Sequence, residues 1–247
     1  MAAVNDRRTQ AAMLALVGVT AMWLGLTDAA LSYVRGSLRP ALVASGVALL
    51  VLAAAALARR GPGPGGHEHD HGAPRSGWLL ALPVLVLLLV TPPALGSFAA
   101  TRQAGSAAAA AGDPGGVFPP LPEPVGGAVP LPVSEFVTRA LYDKDRTLAG
   151  SRVRLLGFAA PAEDGGYLLT RFNLFCCAAD GQAYQLKVRG DGARRQPDQW
   201  LVVEGRWRPQ RVYSGIAPSG VLPVLVADSV TPVQRPADPY EHNLYGL

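Results

Sequence analysis

Long apolar runs fill the first part of the chain, and shorter alternating runs fill the last part. The apolar runs cover residues 11–34, 40–58 and 78–96. Each is long enough, at about 1.5 Å per residue, to cross a hydrocarbon core of roughly 30 Å as a helix. The pattern therefore predicts three transmembrane helices and a membrane domain over residues 1–96.

A different pattern begins near residue 131. Residues 133–142 repeat apolar positions at helical spacing, which predicts one short helix. Five strand-like runs bounded by turn residues follow it, and they cover residues 152–159, 166–175, 183–188, 199–208 and 221–233. This order predicts a mainly β domain over residues 131–247, for which an OB-like small barrel is the closest architecture.

Residues 97–130 separate the two parts and are rich in Ala, Gly and Pro, with almost no charge. Such a segment buries too little apolar surface to fold by itself. The sequence therefore predicts a partly extended tether between the membrane domain and the C-terminal domain.

Arginines beside the apolar runs predict the orientation in the membrane. Five arginines lie before the first run or between the second and third runs: Arg7, Arg8, Arg59, Arg60 and Arg75. Only Arg35 and Arg39 lie between the first and second runs. The positive-inside rule then places the amino terminus in the cytoplasm. Three crossings deliver the C-terminal domain to the extracytoplasmic side of the cell membrane.

Composition agrees with a multi-pass membrane protein and argues against a nucleic-acid partner. Hydrophobic residues make up 49% of the chain and charged residues only 16%. The formal net charge is +4, but the basic residues are scattered rather than aligned on one face. Because a DNA or RNA binder needs such an aligned basic surface, we expect none of these partners.

A histidine-rich loop is predicted between the second and third apolar runs. Residues 61–77 read GPGPGGHEHDHGAPRSG and contain His67, His69 and His71. Imidazole binds zinc, nickel, cobalt or copper, and a loop flanked by glycine can fold several such ligands around one ion. The opposing interpretation is a solvated connector whose composition carries no function. Because no rigid spacing such as HExxH is present, we expect any capture here to be loose and exchangeable.

The two cysteines of the chain, Cys176 and Cys177, are adjacent at the predicted end of the second strand. Three chemistries are open to them. The thiolates can bind a metal together with Asp180, the thiols can close a vicinal disulfide outside the cell, or both can pack as small apolar residues. For a metal, zinc is the first candidate because His, Cys and Asp all suit it, and Glu241 or His242 is a candidate further ligand.

Redox catalysis is the weakest interpretation of this cysteine pair. A dithiol exchange enzyme normally carries the pattern C-x-x-C, which is absent from the chain. We therefore expect a non-enzymatic protein with no catalytic residues.

Aromatic residues of the C-terminal domain support a rival interpretation. Small barrels often bind polymers through exposed aromatic side chains on one face. Aromatic residues in strands more often fill cores or form cross-strand pairs. The candidates for such a face are Tyr167, Phe172, Tyr184, Trp200, Trp207 and Tyr213. If they are exposed together, a membrane-anchored envelope-binding module for a glycan or a protein becomes the better interpretation.

The order of these parts resembles the YcgQ-like family of bacterial membrane proteins. The matching pieces are the histidine-rich loop, a third span that begins at Trp78, the motif RFNLFCCAAD, the segment QWLVVEGRW and the ending that contains DPYEHNLYGL. The resemblance implies the smaller subunit of a two-component permease, whose partner is a larger, multi-spanning, YcgR-like permease. It also implies site positions in two places, Cys176, Cys177 and Asp180, and Asp238, Pro239 and Tyr240. Because family members place His or Cys before a Cys, the resemblance favours metal ligation.

Pattern and resemblance together predict an accessory permease subunit that handles a divalent transition metal such as zinc. Its expected partners are the multi-spanning permease subunit and the lipid bilayer. The alternatives are the envelope-binding module and a permease assembly factor without a ligand of its own.

Overall fold

A computed structural model describes residues 2–58, 82, 86, 93–103, 118–209 and 221–242. The chain divides into two compact units, Met1–Pro93 and Ala94–Leu247. The N-terminal unit is helical, and the C-terminal unit is mostly β-sheet. This division agrees with a membrane part followed by a mainly β domain.

Two long helices form the described part of the N-terminal unit, α1 (Ala2–Leu26) and α2 (Arg39–Ala58). The stretches Arg8–Leu26 and Gly36–Ala58 are long and apolar enough to cross a membrane. Small residues let the helices approach closely, since a Cβ added at Gly46 would press against Met22. The second predicted span is therefore confirmed as a long apolar helix.

The first span is shorter than its apolar pattern predicts. Helix α1 ends at Leu26, and two 3₁₀ turns, Asp28–Ser32 and Gly36–Leu38, follow it instead of further helix. Asp28 forms an ion pair of 3.2 Å with Arg39 in this link. The prediction of a helix to residue 34 was wrong because the apolar residues of the link extend the hydropathy pattern past the end of the helix.

The third predicted span, residues 78–96, lies mostly outside the described residues. Residues 82 and 86 are helical, whereas residues 93–96 are not. Residues 94–96 belong to the C-terminal unit, so a membrane helix does not extend to residue 96. The predicted histidine-rich loop, with His67, His69 and His71, also lies outside the described residues.

In the described part of the C-terminal unit, seven strands form one sheet and two α-helices accompany it. The helices are α3 (Ser97–Arg102) and α4 (Val133–Tyr142). The strands are β1 (Val129–Pro130), β2 (Arg152–Pro161), β3 (Tyr167–Leu174), β4 (Gln182–Arg189), β5 (Trp200–Arg208), β6 (Val224–Pro232) and β7 (Tyr240–His242). The predicted helix and all five predicted strands are confirmed, with small shifts at the strand ends.

The five long strands close into a ring. The order in the sheet is β1-β2-β5-β6-β4-β3-β7, and β2 also pairs with β3. Neighbours in the ring are antiparallel except β4 and β6, which are parallel. Alternate residues point into the ring and form an inner core that includes Leu155, Leu169, Leu186 and Leu201. Helix α4 adds Phe136 to this core.

A second apolar cluster lies on the outer face of the same strands. Phe158, Phe172 and Trp200 belong to this outer cluster because their positions alternate with those of the inner core. Helix α3 covers the cluster with Ala100, which is fully buried, and β7 contributes Tyr240. The domain therefore has two apolar layers, one inside the ring and one outside it.

The segment predicted as an extended tether is in part folded onto the domain. Residues 97–102 form α3, and Val129–Pro130 pairs in parallel with β2. Two hydrogen bonds of 2.9 Å fasten the beginning of the segment, from the Leu95 N–H to the Tyr240 hydroxyl and from the Ser97 hydroxyl to the Asp198 carboxylate. Alanine and glycine, which indicated flexibility in the sequence, instead allow the backbone to lie close against the sheet. Residues 104–117 lie outside the described residues.

Gly205 marks the closest approach of two strands in the ring. The pairing of β5 with β6 shifts register at a β-bulge between Glu204 and Gly205. A Cβ added at Gly205 would overlap the carbonyl oxygen of Val226. We expect Gly205→Ala to lower the free energy of unfolding of the domain by about 1–3 kcal/mol, because the strand has to shift. Denaturant unfolding of the full-length protein, followed by near-ultraviolet circular dichroism, measures the change.

Gly192 provides the matched control for this prediction. A Cβ added there meets nothing within 4 Å. Gly192→Ala is therefore expected to stay within about 0.5 kcal/mol of the unmodified protein. Equal stability of the two alanine variants would contradict the close approach at Gly205.

Candidate metal centre

The loop between β3 and β4, residues 175–181, carries the adjacent cysteines and is called the cysteine loop below. Strand β3 ends at Leu174, which is buried in the outer cluster. The chain then leaves the sheet, so that Phe175 and Cys176 are exposed and Cys177 is half-buried. A 3₁₀ turn, Ala178–Asp180, reverses the chain into β4. This turn separates the second predicted strand from the third.

The Asp180 carboxylate organises the cysteine loop. Its Oδ1 accepts the N–H of Phe175 at 2.9 Å, and its Oδ2 accepts the N–H groups of Cys176 at 2.7 Å and Cys177 at 3.1 Å. In return, the Cys177 side chain accepts the backbone N–H of Asp180, which completes a capping box. These bonds fix the two cysteines and the carboxylate relative to one another.

Two thiols and one carboxylate converge at this loop. The Sγ atoms of Cys176 and Cys177 and a carboxylate oxygen of Asp180 all lie within 4.8 Å of one another. Tetrahedral zinc, with Zn–S bonds of about 2.3 Å, separates two thiolate ligands by roughly 3.8 Å. The three groups are therefore close enough to hold a metal ion after a small closure of the loop.

Hydrogen bonds set the protonation of the cysteine loop. The bond to the Asp180 carboxylate, and next the bond to Cys177, raise the pKa of the Cys176 thiol to about 11. Burial raises the pKa of Asp180, but hydrogen bonds from Cys176 and from three backbone N–H groups outweigh burial and hold this pKa below its usual range. Near neutral pH, a protonated thiol thus faces an ionised carboxylate. A metal ion that binds the Cys176 thiolate has to release this proton.

The geometry bears on all three chemistries considered for the cysteine pair. Both thiols are free, so they form no vicinal disulfide in this structure. Cys176 is exposed and Cys177 is only half-buried, so neither fills the core. A high pKa also makes Cys176 a weak nucleophile near neutral pH, because the thiolate is the reactive form. The arrangement is compatible with metal contact.

The other predicted site residues lie on β7 and in the segment before it. Strand β7 pairs in parallel with β3 and places His242 opposite Leu174, near the start of the cysteine loop. His242 Nε2 lies 2.8 Å from a carboxylate oxygen of Asp238, whose other oxygen accepts the Tyr240 N–H at 3.1 Å. Among the described residues, the compact ligand group contains none of these side chains.

Glu241 has a structural partner rather than a position beside the cysteines. Its two carboxylate oxygens accept the N–H groups of Val133 at 2.7 Å and Ser134 at 2.8 Å. These are the first residues of α4, whose unpaired N–H groups favour a negative charge. Burial raises the pKa of the Glu241 carboxyl, and the bonds from Ser134, the charge of Arg171 and the bond from Val133 oppose this rise. Glu241 therefore caps α4.

Arg171 is a buried structural residue that the sequence analysis missed, and it holds the segment that contains Asp238 and Tyr240 against β3. Its guanidinium is buried, donates to the carbonyl oxygens of Asp238 at 3.1 Å and Tyr240 at 3.3 Å, and stacks 4.8 Å from the centre of the Trp200 ring. Burial lowers its pKa, while the charges of Glu241 and Asp238 oppose the decrease. A lone arginine inside an apolar strand was the available signal, because a buried cation needs such partners.

The five candidate aromatic residues that the structure describes do not form an exposed binding face. Four of the six candidates are buried: Tyr167, Phe172, Tyr184 and Trp200. Trp207 is partly buried, and Tyr213 lies outside the described residues. Helix α3 and β7 cover the outer cluster that contains Phe172 and Trp200. The candidate aromatic residues that the structure describes therefore provide no stacking surface for an envelope-binding module.

The C-terminal part of the chain is similar to a known family. Residues 135–243 match the family model described as DUF1980 C-terminal domain. The matched region contains α4 from its third residue onward, the ring of strands, the cysteine loop and β7. The match agrees at a coarse level with the resemblance to the YcgQ-like family. No curated protein and no solved structure matches the chain.

Proposed function

We propose that this chain is an accessory subunit of a two-component membrane permease and that its C-terminal domain binds a divalent transition metal. The observation that carries this proposal is the convergence of Cys176, Cys177 and Asp180 within 4.8 Å on an exposed loop. Thiolate and carboxylate together suit zinc, which is the first candidate. The coarse agreement with the YcgQ-like family supports the role of permease subunit.

The ligand set suits exchange of the ion rather than storage. A structural zinc site closes four protein ligands around the metal, whereas the cysteine loop offers three. The Asp180 oxygens also accept three backbone N–H groups, which makes this carboxylate a weaker metal ligand than one without such bonds. A group from the permease or a water molecule completes the shell in this proposal.

The domain is proposed to be an OB-like barrel outside the cell. The ring runs β2-β3-β4-β6-β5 and returns to β2, with one parallel pair, and five strands in such a closed arrangement support an OB-like fold. The proposed topology has three crossings and a cytoplasmic amino terminus. Two apolar helices and the distribution of arginines support it. His67, His69 and His71 then sample the same ion on the cytoplasmic side.

Calorimetric titration of the full-length protein in lipid nanodiscs with zinc tests this proposal. We expect a stoichiometric binding event that disappears in Cys176→Ser/Cys177→Ser and persists in His67→Ala/His69→Ala/His71→Ala. The histidine variant separates the two candidate sites, and the unfolding temperature of each variant shows that it is folded. Equal binding by the cysteine variant and the unmodified protein would exclude the cysteine loop as a metal site. Absence of zinc binding altogether would favour an assembly factor without its own ligand.

A further inference from the structure

We propose that the C-terminal domain has a second ligand site, a cavity at the opposite end of β3 from the cysteine loop, which binds a small organic anion. The anion carries a carboxylate or phosphate group on a short apolar body. The cavity is called the arginine cavity below, and its wall comprises the end of β2, the start of β3 and the segment between β4 and β5. This inference goes beyond the proposed function and does not depend on metal binding.

Size and position make the arginine cavity a separate site. Its volume is about 440 Å³, which lies in the range of sites for small molecules. Strand β3 begins at Tyr167 in the wall of the cavity and ends at Leu174 before the cysteine loop. The rise along the strand between these two residues is about 23 Å. A molecule in the cavity therefore does not touch the cysteines.

Small and apolar residues form much of the wall. A Cβ added at Gly165 or at Gly192 would meet no atom within 4 Å, so there is open space beside both glycines. The apolar part of the wall comprises Ala159, Ala160, Pro161, Val188 and Pro197. Such a wall suits a short apolar body, and polar groups have to determine the orientation of the ligand.

Arg195 provides a fixed guanidinium in this wall. Its Nε donates to one carboxylate oxygen of Asp191 at 2.8 Å, and its Nη2 donates to the other oxygen at 3.1 Å. The Tyr167 hydroxyl donates to the same carboxylate at 2.9 Å. The side chains of Arg195 and Asp191 are only 12% and 8% exposed. Because a guanidinium carries more N–H groups than these two bonds use, Arg195 keeps donors for a further anion.

The Asp191 carboxylate does not keep an anion out of the cavity. It accepts hydrogen bonds from Arg195, from the Tyr167 hydroxyl and from the Ala193 N–H. Burial raises the pKa of Asp191, but the bonds from Arg195, Tyr167 and Ala193 outweigh burial and hold this pKa below its usual range. Asp191 is therefore ionised near neutral pH, and the charge of Arg195 compensates its charge.

Arg194 is the charge that identifies the ligand. It lines the cavity, is exposed and forms no ion pair with any residue that the structure describes. Since Asp191 and Arg195 compensate each other, the residues of the wall keep one positive charge, that of Arg194. Arginine binds carboxylate and phosphate groups through paired N–H bonds. An anionic group therefore suits the two arginines, and its apolar body suits the alanine and proline wall.

Fluorine NMR of small ligands with the full-length protein in lipid nanodiscs tests this site. The probes are fluorobenzoate, fluorophenyl phosphate and the uncharged fluorobenzamide, and line broadening on titration gives each Kd. Arg194→Gln removes the unpaired charge without breaking a described bond. Arg146→Gln is the matched control, because Arg146 is also exposed but lies in a different loop, outside the cavity wall. Partition into lipid is common to all variants and cancels in the comparison.

We expect at least one of the two anions to bind with a Kd of about 1 mM, and fluorobenzamide to bind about tenfold more weakly. Arg194→Gln is expected to weaken binding of the anion about tenfold, whereas Arg146→Gln leaves it unchanged. The tighter of the two anions identifies the carboxylate or the phosphate as the preferred group. Equal binding of the anions and fluorobenzamide, equal effects of the two glutamine variants, or no binding of either anion would overturn the proposal.

Discussion

Changing Asp180 to Asn is expected to make Cys176 react about tenfold faster with iodoacetamide near pH 8. Loss of the carboxylate removes the first cause of the high Cys176 pKa, so this pKa falls from about 11 towards that of an ordinary thiol. A decrease of about two pKa units raises the thiolate fraction roughly a hundredfold, and the lower basicity of the thiolate reduces its reactivity by about tenfold. The net increase is therefore about tenfold.

The measurement is made in a Cys177→Ser background, so that only Cys176 is alkylated. Asp145→Asn is the matched control, because it makes the same substitution in a different loop at an exposed position. We expect this control to leave the rate unchanged. A slower reaction in Asp180→Asn than in Asp145→Asn, or equal rates in the two variants, would show that the Asp180 carboxylate does not raise the pKa of Cys176.

Replacing Glu241 with Ala is expected to lower the free energy of unfolding of the C-terminal domain by about 2–4 kcal/mol. The substitution leaves the N–H groups of Val133 and Ser134 without their acceptor at the start of α4. It also removes one of the two negative charges that support the buried cation of Arg171. Denaturant unfolding of the full-length protein measures the loss.

Glu163→Ala controls for the change from Glu to Ala, because Glu163 lies exposed in the β2–β3 turn. Its expected effect on the free energy of unfolding is within about 0.5 kcal/mol. If Glu241→Ala were as stable as this control, the cap on α4 would contribute nothing to the domain. The same variant is expected to retain both thiols of the cysteine loop in their exposed positions, since Glu241 bonds neither of them.

Local patterns predicted the positions of the five long strands, because the alternation of apolar residues and the turns between runs are local features. Alternation along β2 to β6 distinguishes the inner face from the outer face, and the turn residues between runs end each strand. The pattern of 133–142 likewise matches α4, since its apolar side faces the inner core. What alternation cannot give is the parallel pairing of β4 with β6, which joins strands that are not consecutive.

The cover over the outer cluster escaped prediction for a different reason. Helix α3 has six residues and β7 has three, too few for a periodic signal. Each forms because it packs on a surface made by distant strands. A composition rich in alanine and glycine then indicates a tether, although Ala100 is fully buried against the sheet. Tertiary contact, and not local preference, decides the structure of this segment.

Only part of the candidate metal centre could be predicted from the sequence. Cys176, Cys177 and Asp180 lie within five consecutive residues, so their proximity follows from one turn. The role of Asp180 as acceptor for three N–H groups depends on the detailed path of the loop, which the spacing does not give. Glu241 was a candidate ligand because of its chemistry, yet its long-range position makes it the cap of α4.

The hydrogen bond between Leu95 and Tyr240 joins residues that are 145 positions apart in the chain. Contacts of such long separation are costly to close and form late in folding. The inner core needs only the chain from β1 to β6, so its contacts close shorter loops than the bond between Leu95 and Tyr240 does. The outer cluster is complete only when both α3 and β7 are in place. We therefore expect the barrel to form before α3 and β7 close over the outer cluster, so the support that α3 gives to the cysteine loop is the last part of the domain to form.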